Sequence, residues 1–127
     1  MINPNADAGS PTHAPAEAYA DAPKIAAEIS WVARAAVARP FGQEPDREFW
    51  LRKAALLDRI ALEEGATYAP EVAAEAVQAA AQAAWQFVRY DAEHHGLSLR
   101  GADLVTDEDY RAHVRDAYRE WRLQQRP

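Results

Sequence analysis

The chain has 127 residues, enough for one domain with one modest core, and its net charge of −6 disfavours nucleic-acid binding by the surface as a whole. With no cysteine, disulfides and thiolate metal sites or nucleophiles are excluded. The first residues lack the basic and apolar regions of a signal peptide, and no apolar run approaches the roughly 20 residues of a membrane span, so a cytoplasmic protein with no membrane contact is expected.

Leu, Ile, Val and Phe number only 22, against 30 alanines. Alanine has the highest helix propensity and lets helices approach closely. The composition therefore points to an all-α fold in which four Trp and five Tyr supply much of the buried area. Residues 1–22 carry Pro4, Pro11 and Pro15 among Ala, Asn, Asp and Ser, without apolar periodicity. Such a segment cannot bury enough surface to offset its ordering entropy, so a flexible, disordered tail is expected there, with folding onto a partner as the functional alternative. Residues 23–127 form the expected single helical domain.

The first helix is expected over 23–39. Pro23 suits a first turn. Ile25, Ile29, Val32 and Ala36 make its i, i+4, i+7, i+11 core stripe, widened by Ala33 and Val37, while Trp31 points the other way among alanines. Arg39-Pro40 stops it, because a proline disfavours helical backbone in the residue before it. The second helix spans 45–64. Pro45, Asp46 and Glu48 lie in its first turn, Phe49, Trp50, Leu56, Leu57, Ile60 and Ala61 form the broadest stripe of large apolar residues, and Gly65 serves as the C-cap.

The stretch 70–95 reads as one long helix whose polar stripe, Glu71, Glu75, Gln78, Gln82, Gln86, Arg89 and Glu93, is narrow. A helix apolar over most of its circumference is expected to be covered by several neighbours, so this one is read as the central post. Leu97 to Val105 reads as a loop, with Leu97, Leu99 and Leu104 tucked against the core. Thr106 followed by Asp109 resembles a capping box with Asp in place of Glu, opening a last helix over 107–125 with Tyr110, Val114, Ala117 and Trp121 inward. The fold class is an irregular four-helix bundle or array around the central Ala-rich helix.

Candidate chemistry is sparse, and no cofactor is implied. Arg111, Arg115, Arg119, Arg122 and Arg126 fall within about 80° of one another in helical projection, beside Tyr118 and Trp121. This ridge can be a solvated face, a protein-binding surface or a phosphate-binding surface. Trp31 in its alanine surroundings suits an interface anchor, whereas Trp85 is expected inside the monomer. Asp91, His94 and His95 are weak metal candidates, since the Glu-x-x-His pattern of bundle metal sites is missing. Lys53 lies in the apolar stripe of its helix, either as a low-pKa amine or resting on Trp50.

Three functions follow in order. First comes a small non-enzymatic protein-interaction or regulatory module acting through helix surfaces, with Arg111, Arg115, Arg119, Arg122, Tyr118 and Trp31 at a protein partner or at a second copy in a homodimer. The alternative is a DNA-associated transcriptional regulator using the Arg ridge. Third is a metal-binding or enzymatic helical protein.

Overall fold

The computed structural model describes residues 15–95 and 104–125, all but the side chain of His95. Residues 1–14 of the expected tail, the loop positions Leu97, Leu99 and Gly101, and Arg126 of the basic ridge lie outside the described residues. The described chain is helical and without strands: α1 (Pro15–Ala18), α2 (Ile25–Ala38), α3 (Arg47–Thr67), α4 (Pro70–His95) and α5 (Asp107–Gln125). The four long helices are the four expected, and no described helix is long and apolar enough to cross a membrane.

Local chemistry accounts for the helix ends. Arg39 is extended, at φ −68° and ψ 135°, as Pro40 demands, and α2 stops there. Gly42, at φ 83°, takes the left-handed turn that follows. Asp46 is itself the N-cap of α3, its side chain accepting from the Phe49 N–H at 3.0 Å. The capping box of α5 forms with Asp in the Glu role. The Asp109 N–H donates to Thr106 Oγ1 at 3.1 Å, and the Thr106 N–H donates to Asp109 Oδ2 at 2.9 Å. Those backbone bonds from Thr106 and Val105 hold the Asp109 carboxyl below its ordinary value.

Three expectations change. Gly65 sits inside α3, which runs on to Thr67 until the extended Tyr68 and then Pro70 interrupt it. The hub is α3 rather than α4: α3 packs on α2, α4 and α5, while the extensive contacts of α4 are with α3 and α5. Leu51 and Ala55 of α3, which lie outside its expected stripe of large apolar residues, are buried with Ala54, Ala83, Ala84, Phe87, Val88, Val114 and Tyr118 in the main core cluster. On α4, Val72, Val77 and Trp85 are exposed. An uncharged surface of alanines resembles a buried one in projection, yet an exposed methyl costs little, so absence of charge did not bring in more neighbours.

The third change concerns the tail. Pro15–Ala22 is an ordered strap, with Ala18 buried and Tyr19 and Ala22 packed on the core cluster. Composition alone misses it because one tyrosine anchors it. Its ring meets Tyr118 edge-on at 5.4 Å.

The alanine seam between α3 and α4 sets how close these helices lie. Ala84→Leu, at a buried seam position, should destabilise the protein by about 1–3 kcal/mol through overpacking. Ala79→Leu on the exposed side should stay within about 0.5 kcal/mol. Urea unfolding midpoints check both.

Candidate functional site

The basic ridge of α5 points inward. Asp58 of α3, only 1% exposed, accepts from Arg111 Nε at 2.6 Å and from Arg115 through Nε at 2.8 Å and Nη2 at 3.0 Å. The Tyr19 hydroxyl of the strap donates to the same carboxylate at 2.6 Å, and Glu108 takes the third Arg115 bond, from Nη1 at 2.7 Å. Burial acts to lower the Arg115 guanidinium's pKa, but its bonds to Asp58 and Glu108 outweigh burial and raise it. For Tyr19, burial comes first and the Asp58 charge second, and both push the phenol far above its ordinary value of 10.0.

The outer end of the ridge holds the strap. Arg119 Nη1 donates to the Glu17 carbonyl at 3.0 Å and Arg122 Nη2 to the Asp21 carbonyl at 2.8 Å. Tyr118, beside the ridge in projection, is fully buried, and its hydroxyl has no hydrogen-bond partner among the described residues. Thus Arg111, Arg115 and Tyr118 are taken up inside the monomer, and Arg119 and Arg122 bind its own backbone. A projection of one helix treats charge as outward-facing. It cannot see an acid placed on another helix.

A second network fixes α2. Glu28, 2% exposed, accepts from Arg52 Nη2 at 2.7 Å and Nε at 2.9 Å, while Arg52 Nη1 donates to Glu48 at 2.8 Å. The guanidinium lies 3.5 Å from the Trp31 ring centroid and 5.3 Å from that of Trp121. Trp31 is therefore half-buried against Arg52. With Glu28 and Trp31 inward, part of the expected core stripe of α2 turns outward: Ile29 is 47% exposed, Val37 82%, and Ala33 and Ala36 are exposed too, while Ile25 and Val32 stay part-buried. Phe41, just past the helix, is fully exposed. The signal for this was present in the sequence as a helix apolar on nearly every side.

The remaining candidates go to separate places. Asp91 receives Arg47 Nε at 2.6 Å and Nη2 at 3.0 Å. His94 stacks on Tyr90 at 4.0 Å, with Nδ1 3.0 Å from the Tyr90 carbonyl and Nε2 3.5 Å from Glu44. Asp91 and His94 thus have different partners, the side chain of His95 lies outside the described residues, and no group of three or more potential metal ligands occurs among the described residues. Lys53 rests 5.7 Å from the Trp50 ring centroid. Trp85, expected inside, is 44% exposed and lines a shallow hollow of about 250 Å³ with Glu44, Trp50, Arg89, Tyr90 and Glu93. Burial, then the charges of Glu44, Asp46 and Asp91, raise the Tyr90 phenol, the opposite of nucleophile activation.

No family model matches the chain, and neither a curated protein nor a solved structure matches it.

Replacing Asp58 with Asn should cost about 3–5 kcal/mol by taking the counter-charge from buried Arg111 and leaving buried Arg115 only the more exposed Glu108. Glu48→Ala, at a more exposed partner of Arg52, should cost no more than about 1 kcal/mol. Denaturant titration separates the two. The tyrosines should diverge as well. Tyr19→Phe removes a charge-assisted bond and should lose about 1.5–3 kcal/mol, whereas Tyr118→Phe removes a hydroxyl without a partner and should be neutral or stabilising. Because folding raises the Tyr19 pKa, its contribution is fully present below the unfolded value of 10.0 and is lost as pH rises above it. The wild-type unfolding midpoint should therefore fall more steeply than that of Tyr19→Phe in scans above about pH 10.

Proposed function

We propose that the chain is a non-enzymatic protein-interaction module that docks through the outer face of α2 and the adjoining Phe41. One observation carries this reading. Asp58, Asp91, Arg111 and Arg115 are committed to ion pairs inside the fold, while Ile29, Val37 and Phe41 stand exposed around Ala33 and Ala36. Scattered apolar side chains are ordinary on a surface, but a contiguous run of them marks an interaction site. Of the exposed positions along α2, Ala26, Ala27, Ile29, Ser30, Ala33, Arg34, Ala36, Val37 and Ala38, only Arg34 is charged. Its aliphatic stem can lie along such a face with the guanidinium in water.

Support for the duplex-binding alternative weakens correspondingly. Phosphate contacts need free cations, and four arginines of that ridge already hold Asp58 and the strap carbonyls. The docking surface thus moves from the ridge and Trp31 to the opposite side of α2.

A photo-crosslinking residue, benzoylphenylalanine, placed at position 37 in living cells tests the reading. A discrete adduct from position 37, and none from the same residue at position 71 on α4, is expected. Absence of any adduct from position 37 overturns the proposal.

A further inference from the structure

The outer face of α2 is self-complementary. Ile29 and Val37 lie four residues to either side of Ala33, and all three are exposed. A two-fold axis through Ala33, with two α2 helices antiparallel, therefore brings each Ile29 level with the partner's Val37, twice over. On the helical projection Ile29 and Val37 flank Ala33 on opposite sides, so these side chains interdigitate rather than collide. Ala26, Ala33 and Ala36 leave room for the two axes to approach at the near end of the 8–10 Å range.

Charge favours the same occupant. A second copy also carries a net charge of −6, so two chains repel over most approaches. On α2 the acid is Glu28, which is buried on Arg52, so that helix turns no carboxylate outward; Glu44 lines the hollow beside Ala36 and Phe41 at its end. An acidic partner finds only Arg34 of α2 to complement there, and a basic partner finds no carboxylate of that helix. A second copy meets an uncharged surface matching its own.

Building on the module reading, we infer that the face is a homodimer seam, two α2 helices crossing antiparallel at Ala33. Fourteen residues of helix span about 21 Å, so the contact is smaller than the roughly 800 Å² per partner of a standard interface. The dimer is accordingly of the weak, reversible class.

Since the chain has no cysteine, single-cysteine variants report only on the chosen position. Under mild oxidation at about 100 μM, a concentration at which weak dimers populate, Ala33→Cys should form a disulfide dimer, and a mixture of Ile29→Cys with Val37→Cys should cross-link 29 to 37 in preference to 29–29 or 37–37. Ala79→Cys, on the exposed side of α4, should stay monomeric. Light scattering should show the wild-type mass rising with concentration from 14.1 kDa toward twice that value. Val37→Glu should weaken the association at least tenfold with unchanged helicity, as the side chain touches little within the monomer. A wild type monomeric throughout, a dimer indifferent to Val37→Glu, or preferential 29–29 and 37–37 cross-links overturns the antiparallel seam. If such a monomer still gives a position-37 photo-adduct with a different protein, the seam falls and the module stands. If it gives no adduct, both fall.

Discussion

A single buried carboxylate ties three parts of this molecule together. Asp58 sits on the hub helix α3, binds two arginines of α5 and receives the hydroxyl of Tyr19 from the strap. Removing a carboxylate from water is expensive, and only a dense set of charge-assisted bonds makes its burial tolerable. Those bonds come from residues 39, 53 and 57 positions away in sequence. The cluster therefore favours one way of closing the chain, because a slip of one helical position on α5 would leave the carboxylate without its partners. Apolar packing alone discriminates less. The seam between α3 and α4 is built largely of alanines, which tolerate several registers at similar cost, so directional polar contacts supply specificity that the small core lacks.

The Glu28–Arg52 pair does for α2 what Asp58 does for α5. Among the extensive helix contacts α2 has only α3, so its rotation about its own axis is set on one side. Had apolar burial decided the matter, Ile29 and Val37 would face the core and Glu28 the solvent. The opposite holds because Arg52, held between the Trp31 and Trp121 rings, offers Glu28 a bidentate partner that water-exposed orientations lack. Burying Glu28 beside Trp31 turns Ile29 and Val37 outward, so one ion pair produces the exposed apolar face.

What sequence patterning recovered divides along the same physical line. Rules acting within a few residues worked: the bounds of α4 and α5, the Thr106–Asp109 cap, the stop at Pro40 and the acidic start of α3 all rest on local backbone chemistry. Rules that infer burial from hydrophobicity held where large side chains dominate, as at Phe49 and Val114. They failed where alanine or a cross-helix ion pair decided the face. Arg111 and Arg115 read as surface residues because their partner is far off in sequence, and Ile29 and Val37 read as core because nothing local betrays the ion pair that turns them out. Tyr19 was missed for the same reason. A single long-range bond ordered a segment whose composition argues for disorder.

The separation of these two kinds of residue has a consequence for how the surface can change. Stability of the α2 orientation resides in Glu28, Arg52 and Trp31, on one side of the helix, while the proposed contact resides in Ile29, Val37 and Phe41 on the other. Few side chains serve both purposes. Substitutions on the outer face can therefore alter association with little penalty to the fold, whereas loss of Glu28 removes the reason for Ile29 and Val37 to be outside. Without that pair, hydrophobic burial favours rotating α2 to bring them in, and the interaction surface would vanish by a change at a residue that never touches it.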